Sequence, residues 1–154
     1  MMLTAAIVAL LADAATAPPP PVQKPGVANE ARARMNWMLH CQGCHQADAK
    51  GSVAARTPAM AGEVSRFLGV EGGRGYLTRV PGVANAGLPD DQLAELLNWT
   101  LATFDAAHLS STFAPYTAAE VAAGRQAPLV SEAARIRDDL TKKFDPAAHR
   151  AVGE

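Results

Sequence analysis

The sequence predicts an all-α fold made of several short helices joined by loops. Three observations indicate this fold. Apolar residues recur at spacings of three and four across residues 90–104, as on one face of a helix. Thr117-Ala118-Ala119-Glu120 has the capping-box pattern of a helix start. No segment shows the apolar–polar alternation of a half-buried strand. The 154 residues suit one compact domain better than two.

The first predicted helix covers residues 31–39. Asn29 is a suitable N-cap, and no glycine or proline interrupts the segment that follows. Met35, Met38 and Leu39 recur at helical spacing and predict its buried face.

The middle of the chain predicts shorter pieces. Proline and glycine punctuate it and favour loops and turns between short helices. We expect a loop over 47–58, a short helix over 62–68, a turn over 69–75, a short helix over 76–80, and a loop from Pro81-Gly82 to Pro89.

The strongest helix prediction starts at Pro89 or Asp90 and ends at Phe104. Asp90 and Asp91 suit its positive N-terminal end. Its apolar face comprises Leu93, Leu96, Leu97, Leu101 and Phe104, with Trp99 beside it. An irregular stretch over 109–115, a short helix after Thr117 and a last helix from Ser131 to about Phe144 complete the chain.

The N-terminal residues predict export. An apolar stretch over residues 3–11 precedes small residues, which is the pattern of a secretory signal peptide. The stretch is too short to span a bilayer, so we expect no stable membrane insertion after cleavage. We place the signal peptide at residues 1–14, or 1–17 with the second A-x-A site, and a proline-rich linker at 15–28. The absence of Lys and Arg before the apolar stretch leaves an anchor or a disordered tail as alternatives.

Composition excludes some partners and favours a cofactor. With 14 basic and 15 acidic residues the net charge is -1, which argues against nucleic acid as a partner. Aromatic residues make up only 5% of the chain, so large side chains contribute little to its core. A bulky apolar cofactor would supply the missing area.

The two cysteines stand in Cys41-Gln42-Gly43-Cys44-His45. The pattern C-x-x-C-H is typical of covalent haem attachment, with two thioethers reaching one edge of the porphyrin and His45 ligating the iron. A structural zinc site would need a second pair of ligands, and a disulfide would close a tiny loop. A thioredoxin-like redox pair expects a βαβ setting and leaves His45 without a role. The motif therefore predicts one haem c.

Residues 29–104 resemble the class I-type monohaem cytochrome c family. The resemblance rests on a helix before the haem motif, the motif itself, Pro58-x-x-x-Gly62 and a helix after the ligand loop. It implies a small haem domain, placed at 29–106, in which the first and last helices cross near the haem edge, with Trp99 at the crossing or against the haem. Residues 107–154 then form a C-terminal helical extension.

The family usually places an iron-ligating methionine shortly before the last core helix, but residues 80–85 contain none. Met60 is the remaining candidate for the sixth iron ligand, although family members often have a leucine there that packs on the haem. His40, His108 and His149 are weaker candidates, and an open sixth position is a further alternative. Arg74, Tyr76 and Arg79 cluster beside the glycine-rich turn and are candidates for holding the haem propionates.

These features predict an exported, periplasmic carrier of single electrons and not an enzyme. Its partners would be a dehydrogenase donor and an oxidase or cytochrome acceptor, or it would be the cytochrome subunit of a dehydrogenase complex. Methionine–histidine ligation suits electron transfer. An open sixth position would instead favour small-ligand binding or peroxide chemistry.

Overall fold

The computed structural model describes residues 23–144. Within this range the chain folds into helices and loops, and its only β-type pairing is an isolated antiparallel bridge between Ser52 and Thr57. The all-α prediction is confirmed. The seven α-helices of the described residues are α1 (Glu30–His40), α2 (Gln42–His45), α3 (Gly73–Arg79), α4 (Pro81–Ala84), α5 (Asp90–Phe104), α6 (Ala118–Arg125) and α7 (Ala133–Thr141). Two 3-10 helices cover Val64–Gly69 and Ala106–His108. The predicted signal peptide, most of the linker and His149 lie outside the described residues.

Helix α1 begins as predicted but buries a different face. The Asn29 side chain accepts a hydrogen bond from the backbone N–H of Arg32 at 2.9 Å, which confirms the N-cap. The predicted buried face is wrong, because Met35, Met38 and Leu39 are 52%, 44% and 70% exposed. Ala33, Asn36 and Trp37 are buried instead. The large indole of Trp37 gains more from burial than the flexible methionines do, and it sets the orientation of the helix.

Helices α1 and α5 pack together through aromatic rings. The centroids of Trp37 and Trp99 are 6.1 Å apart, and Phe104 lies 4.5 Å from Trp37 and 5.5 Å from Trp99. The predicted α5 is confirmed in its bounds and in its apolar face, with Leu93 and Leu101 each only 1% exposed. The position of Trp99 agrees with a role at the helix crossing.

A buried carboxylate reinforces this packing. Glu95 is 4% exposed and accepts hydrogen bonds from the Arg32 guanidinium at 2.8 and 3.0 Å and from the backbone N–H groups of Ala28 and Asn29. Burial alone would raise the pKa of Glu95, but these hydrogen bonds outweigh it and hold the pKa below its usual range. Glu95 thereby fixes the N-terminal end of α1 on α5.

The glycine-rich segment differs from the prediction. Residues 69–75 do not form one turn, since Gly69 ends a 3-10 helix and Gly73 starts α3. A Cβ atom on Gly73 would lie 1.9 Å from the carbonyl oxygen of Phe67, so only glycine fits there. The segment after α3 also differs, because Pro81 begins α4 where a loop was expected. Proline suits the first turn of a helix.

The C-terminal extension packs on the rest of the protein. The capping box of α6 is confirmed, and its Val121 is fully buried in the main hydrophobic core. Leu129 and Leu140 join the same core. The last helix starts at Ala133, two residues after the predicted Ser131. No helix among residues 23–144 combines the length and apolar character needed to cross a membrane.

Candidate haem site

The cysteine motif forms one tight turn between α1 and the following loop. Cys41 is both the C-cap of α1 and the N-cap of α2, and its carbonyl oxygen accepts from the backbone N–H groups of Cys44 and His45 at 3.2 and 3.0 Å. The turn therefore holds both thiols and the imidazole within five consecutive residues. Both cysteines are free thiols.

This turn lines a cavity of about 690 Å³, within the range of about 300–1,000 Å³ that is usual for cofactor pockets. Cys41, Cys44 and His45 lie on its wall with Trp37 and Met60. The rest of the wall is mainly apolar and includes Val64, Phe67, Leu77, Leu93, Leu96, Leu97 and Leu101. The cavity thus supplies the apolar space that a core poor in aromatic residues lacks.

His45 is oriented by a backbone carbonyl. Its Nδ1 lies 3.1 Å from the oxygen of Pro58, and a carbonyl oxygen can only accept, so Nδ1 carries the proton in this contact. The Nε2 lone pair then remains available to a metal. Burial lowers the pKa of His45, opposed by the Pro58 hydrogen bond, which keeps the imidazole neutral at pH 7.

The state of Cys41 argues against a disulfide-exchange site. Burial, together with the neighbouring Cys44, raises the pKa of Cys41 to about 11, so its thiol stays protonated at neutral pH. Reactive C-x-x-C cysteines have the opposite property, a lowered pKa that stabilises the thiolate. The pair is therefore suited to serve as a fixed point of attachment and not as a nucleophile.

The chemistry of these groups fits a covalently bound haem. Two thiols and a neutral, oriented imidazole within one turn match the C-x-x-C-H attachment set. A Cβ on Gly43 would meet no atom within 4 Å, so the backbone between the cysteines is unobstructed. The indole N–H of Trp37, which also lines the cavity, is buried without a hydrogen-bond partner among residues 23–144. A polar acceptor brought in by a cofactor would satisfy it.

Of the three predicted propionate residues, the structure brings only Tyr76 to the cavity. The Arg74 guanidinium pairs with Glu120 at 2.7 and 3.0 Å and lies 4.2 Å from the Tyr116 ring centroid, at the junction of α3 and α6. Arg79 donates to the carbonyl oxygen of Ala127 at 2.6 Å. Both cations thus serve to hold the C-terminal extension.

Sequence reasoning missed two cavity residues with positive charge, Arg56 and Arg137. Arg56 lies in the loop between the bridged residues Ser52 and Thr57, and Arg137 lies on α7. The i, i+4 spacing of Ala133 and Arg137 on the last helix was the available signal, but nothing in the sequence placed that helix at the cavity. His40 also lines the cavity, while remaining exposed.

Comparison with known proteins identifies the family. The chain is 33% identical over 99 residues to a cytochrome c-552 of Thermus thermophilus, a match that covers 53% of this chain and 75% of that relative. This chain belongs to the c-type cytochromes. A second cytochrome c-552, from another strain of the same species, shows the same identity, with 66% of its length covered. No family model and no solved structure matches this cytochrome.

Proposed function

We propose that the protein is a class I-type monohaem cytochrome c that carries single electrons in the periplasm. The observation that supports this most is the joint placement of Cys41, Cys44 and His45 on one wall of a large apolar cavity. The cysteines would hold one haem c through thioethers, and His45 would be the proximal iron ligand, oriented by Pro58. A bound haem would supply one-electron chemistry, while the protein positions it and excludes water.

The proposed partners are a periplasmic dehydrogenase as donor and a respiratory oxidase or a second cytochrome as acceptor. Cys44 is exposed, so the attachment edge of the cavity is open to a partner's surface. We place the signal peptide at residues 1–14 or 1–17, the haem domain at 29–106 and the extension at 107–154. Edge exposure and reversible reduction are the properties that an electron carrier needs, and we assign no catalytic residue.

Two measurements on the full chain, expressed in a host that attaches haem on the exported side, test this function. Cell fractionation should place the mature, haem-bearing protein in the periplasm, with its N-terminus cut within residues 12–18. An electrode titration should show one reversible one-electron wave. A cytoplasmic location, or a haem that cannot be reversibly reduced, would exclude the proposed carrier.

A further inference from the structure

Met60 is tied to the His45 side of the cavity. Its backbone N–H and that of Ala61 both donate to the carbonyl oxygen of Ala49, at 2.8 and 3.1 Å, four residues after His45. Pro58, which accepts from His45 Nδ1, precedes Met60 by two residues, a chain distance of at most about 7 Å. The segment that carries Met60 is thus held beside the protonated nitrogen of the imidazole.

This placement separates Met60 from the position that a second axial ligand must occupy. The nitrogen of His45 that is free to ligate is Nε2, across the ring from Pro58. A second axial ligand approaches the metal from the far side, away from both His45 and Pro58. Met60 therefore suits packing against the histidine-side face, where a thioether fills space well.

The second wall of the cavity is built by α3, α4 and the C-terminal helix α7. It contains Tyr76, Leu77, Val80, Pro81, Gly82, Val83, Ala133, Ala134, Arg137 and Asp138. Within the described part of the chain, this wall has no methionine, histidine, cysteine or lysine. The small side chains of Ala133 and Ala134 leave room where family members usually supply a ligand.

Two polar groups are held on this wall. Tyr76 is 7% exposed and stacks on Phe67 with ring centroids 5.1 Å apart. Arg137 pairs with Glu63 at 2.5 Å and lies 5.9 Å from the Phe67 ring centroid. Burial raises the pKa of Tyr76, with smaller opposing effects of Arg137 and Asp138, so its hydroxyl remains a donor. Hydrogen-bond donors and steric access in such a pocket decide whether a haem protein binds small ligands.

We propose that α3 and α7 form a pocket for a small diatomic ligand on the face of the haem opposite His45, with Tyr76 and Arg137 as its hydrogen-bond donors and without Met60 as a ligand. The inference rests on the proposed attachment of haem at Cys41 and Cys44. It gives the C-terminal extension a function, since α7 closes the cavity and supplies Arg137 to it.

Carbon monoxide is the probe for this pocket, applied to the reduced, haem-loaded protein. We expect rapid binding with a clear change in the optical spectrum. Met60→Leu keeps the apolar volume and should leave the spectra of both oxidation states unchanged, as should the exposed control Met38→Leu. Arg137→Gln should accelerate carbon monoxide dissociation several-fold and shift the C–O stretching frequency. Arg135→Gln, on the exposed side of the same helix, should change neither.

Several results would overturn the inference. Failure of the reduced wild type to bind carbon monoxide is one, and loss of a low-spin spectrum in Met60→Leu or in His149→Ala is another, since either would identify a protein ligand. An unchanged dissociation rate in Arg137→Gln would remove that residue's role. If Arg137→Gln does not fold, Tyr76→Phe replaces it, and it must shift the C–O frequency. Covalent haem without carbon monoxide binding would defeat only this inference, whereas absence of covalent haem would defeat the proposed function.

Discussion

His45 Nδ1 and the carbonyl oxygen of Pro58 lie 3.1 Å apart and connect the cysteine turn to the loop that carries Met60. The bond fixes the tautomer and the ring plane of His45, because only the protonated nitrogen can face a carbonyl. A loop residue 13 positions away thus prepares the imidazole for metal ligation.

Removal of the imidazole should separate haem attachment from iron ligation. In His45→Gly we expect a protein that retains the two thioethers but has a changed optical spectrum, because the proximal ligand is absent. Added imidazole should restore the wild-type spectrum by occupying the space left beside Pro58. The exposed neighbour is the control, and His40→Gly should keep the wild-type spectrum throughout. A normal spectrum in His45→Gly without imidazole would show that another residue ligates the iron.

Glu95 should make the stability of the protein sensitive to acid. Its pKa is lowered in the folded state, so its contribution is fully present above the unfolded value of about 4.5 and is lost as pH falls through the lower folded value. Glu95→Gln should cost about 2 kcal/mol at pH 7 and flatten the decline in unfolding free energy below about pH 4.5. Denaturant titrations from neutral to acid pH measure this. The exposed Glu71→Gln should keep the wild-type profile, and an equally steep decline in Glu95→Gln would contradict the assignment.

The folding of the first helix shows where sequence reasoning succeeds and where it stops. The N-cap at Asn29, the α5 face and the capping box at Thr117 follow from local patterns and were predicted. Apolar residues surround α1, so periodicity could not choose between the methionines and Trp37. Only the contact with Trp99 decides which face is buried.

The candidate site divides in the same way. Cys41, Cys44 and His45 are adjacent in sequence, so their chemistry could be recognised from spacing alone. The contact of Glu95 with Arg32 and the approach of α7 to the cavity join residues far apart in the chain. Arg74 was assigned to the cavity because it adjoins Tyr76, but successive residues of a helix point in different directions, and Arg74 faces Glu120.

Arg125 holds the segment between α4 and α5. Its guanidinium donates to the carbonyl oxygens of Ala84, Ala86 and Leu88 at 2.7–3.1 Å and to Asp90 at 2.6 Å. Lysine cannot reproduce this planar arrangement of donors. Arg125→Lys should therefore lower the free energy of unfolding by about 2 kcal/mol or more, measured by denaturant titration. Arg135→Lys, an exposed change on α7, should have no effect, and equal stabilities of the two variants would refute the role of Arg125.

Two glycines of α3 should respond oppositely to alanine. Gly73→Ala forces a Cβ against the carbonyl of Phe67 and should cost about 1–3 kcal/mol. Gly75 is exposed, and its Cβ would meet no atom within 4 Å, so Gly75→Ala should stabilise the helix by about 0.5–1 kcal/mol. Thermal unfolding of the haem-loaded variants gives both values. A Gly73→Ala variant as stable as the wild type would show that α3 and the preceding 3-10 helix are not in close contact.

The mass of the mature protein is the most direct test of the central claim. Produced in a host that attaches haem on the exported side, the chain should carry the mass of one haem, resistant to denaturation and acid extraction. The double variant Cys41→Ala/Cys44→Ala should carry none. A wild-type chain without added mass in that host, or a double variant that still retains covalent haem, would contradict the assignment of this turn as the attachment site.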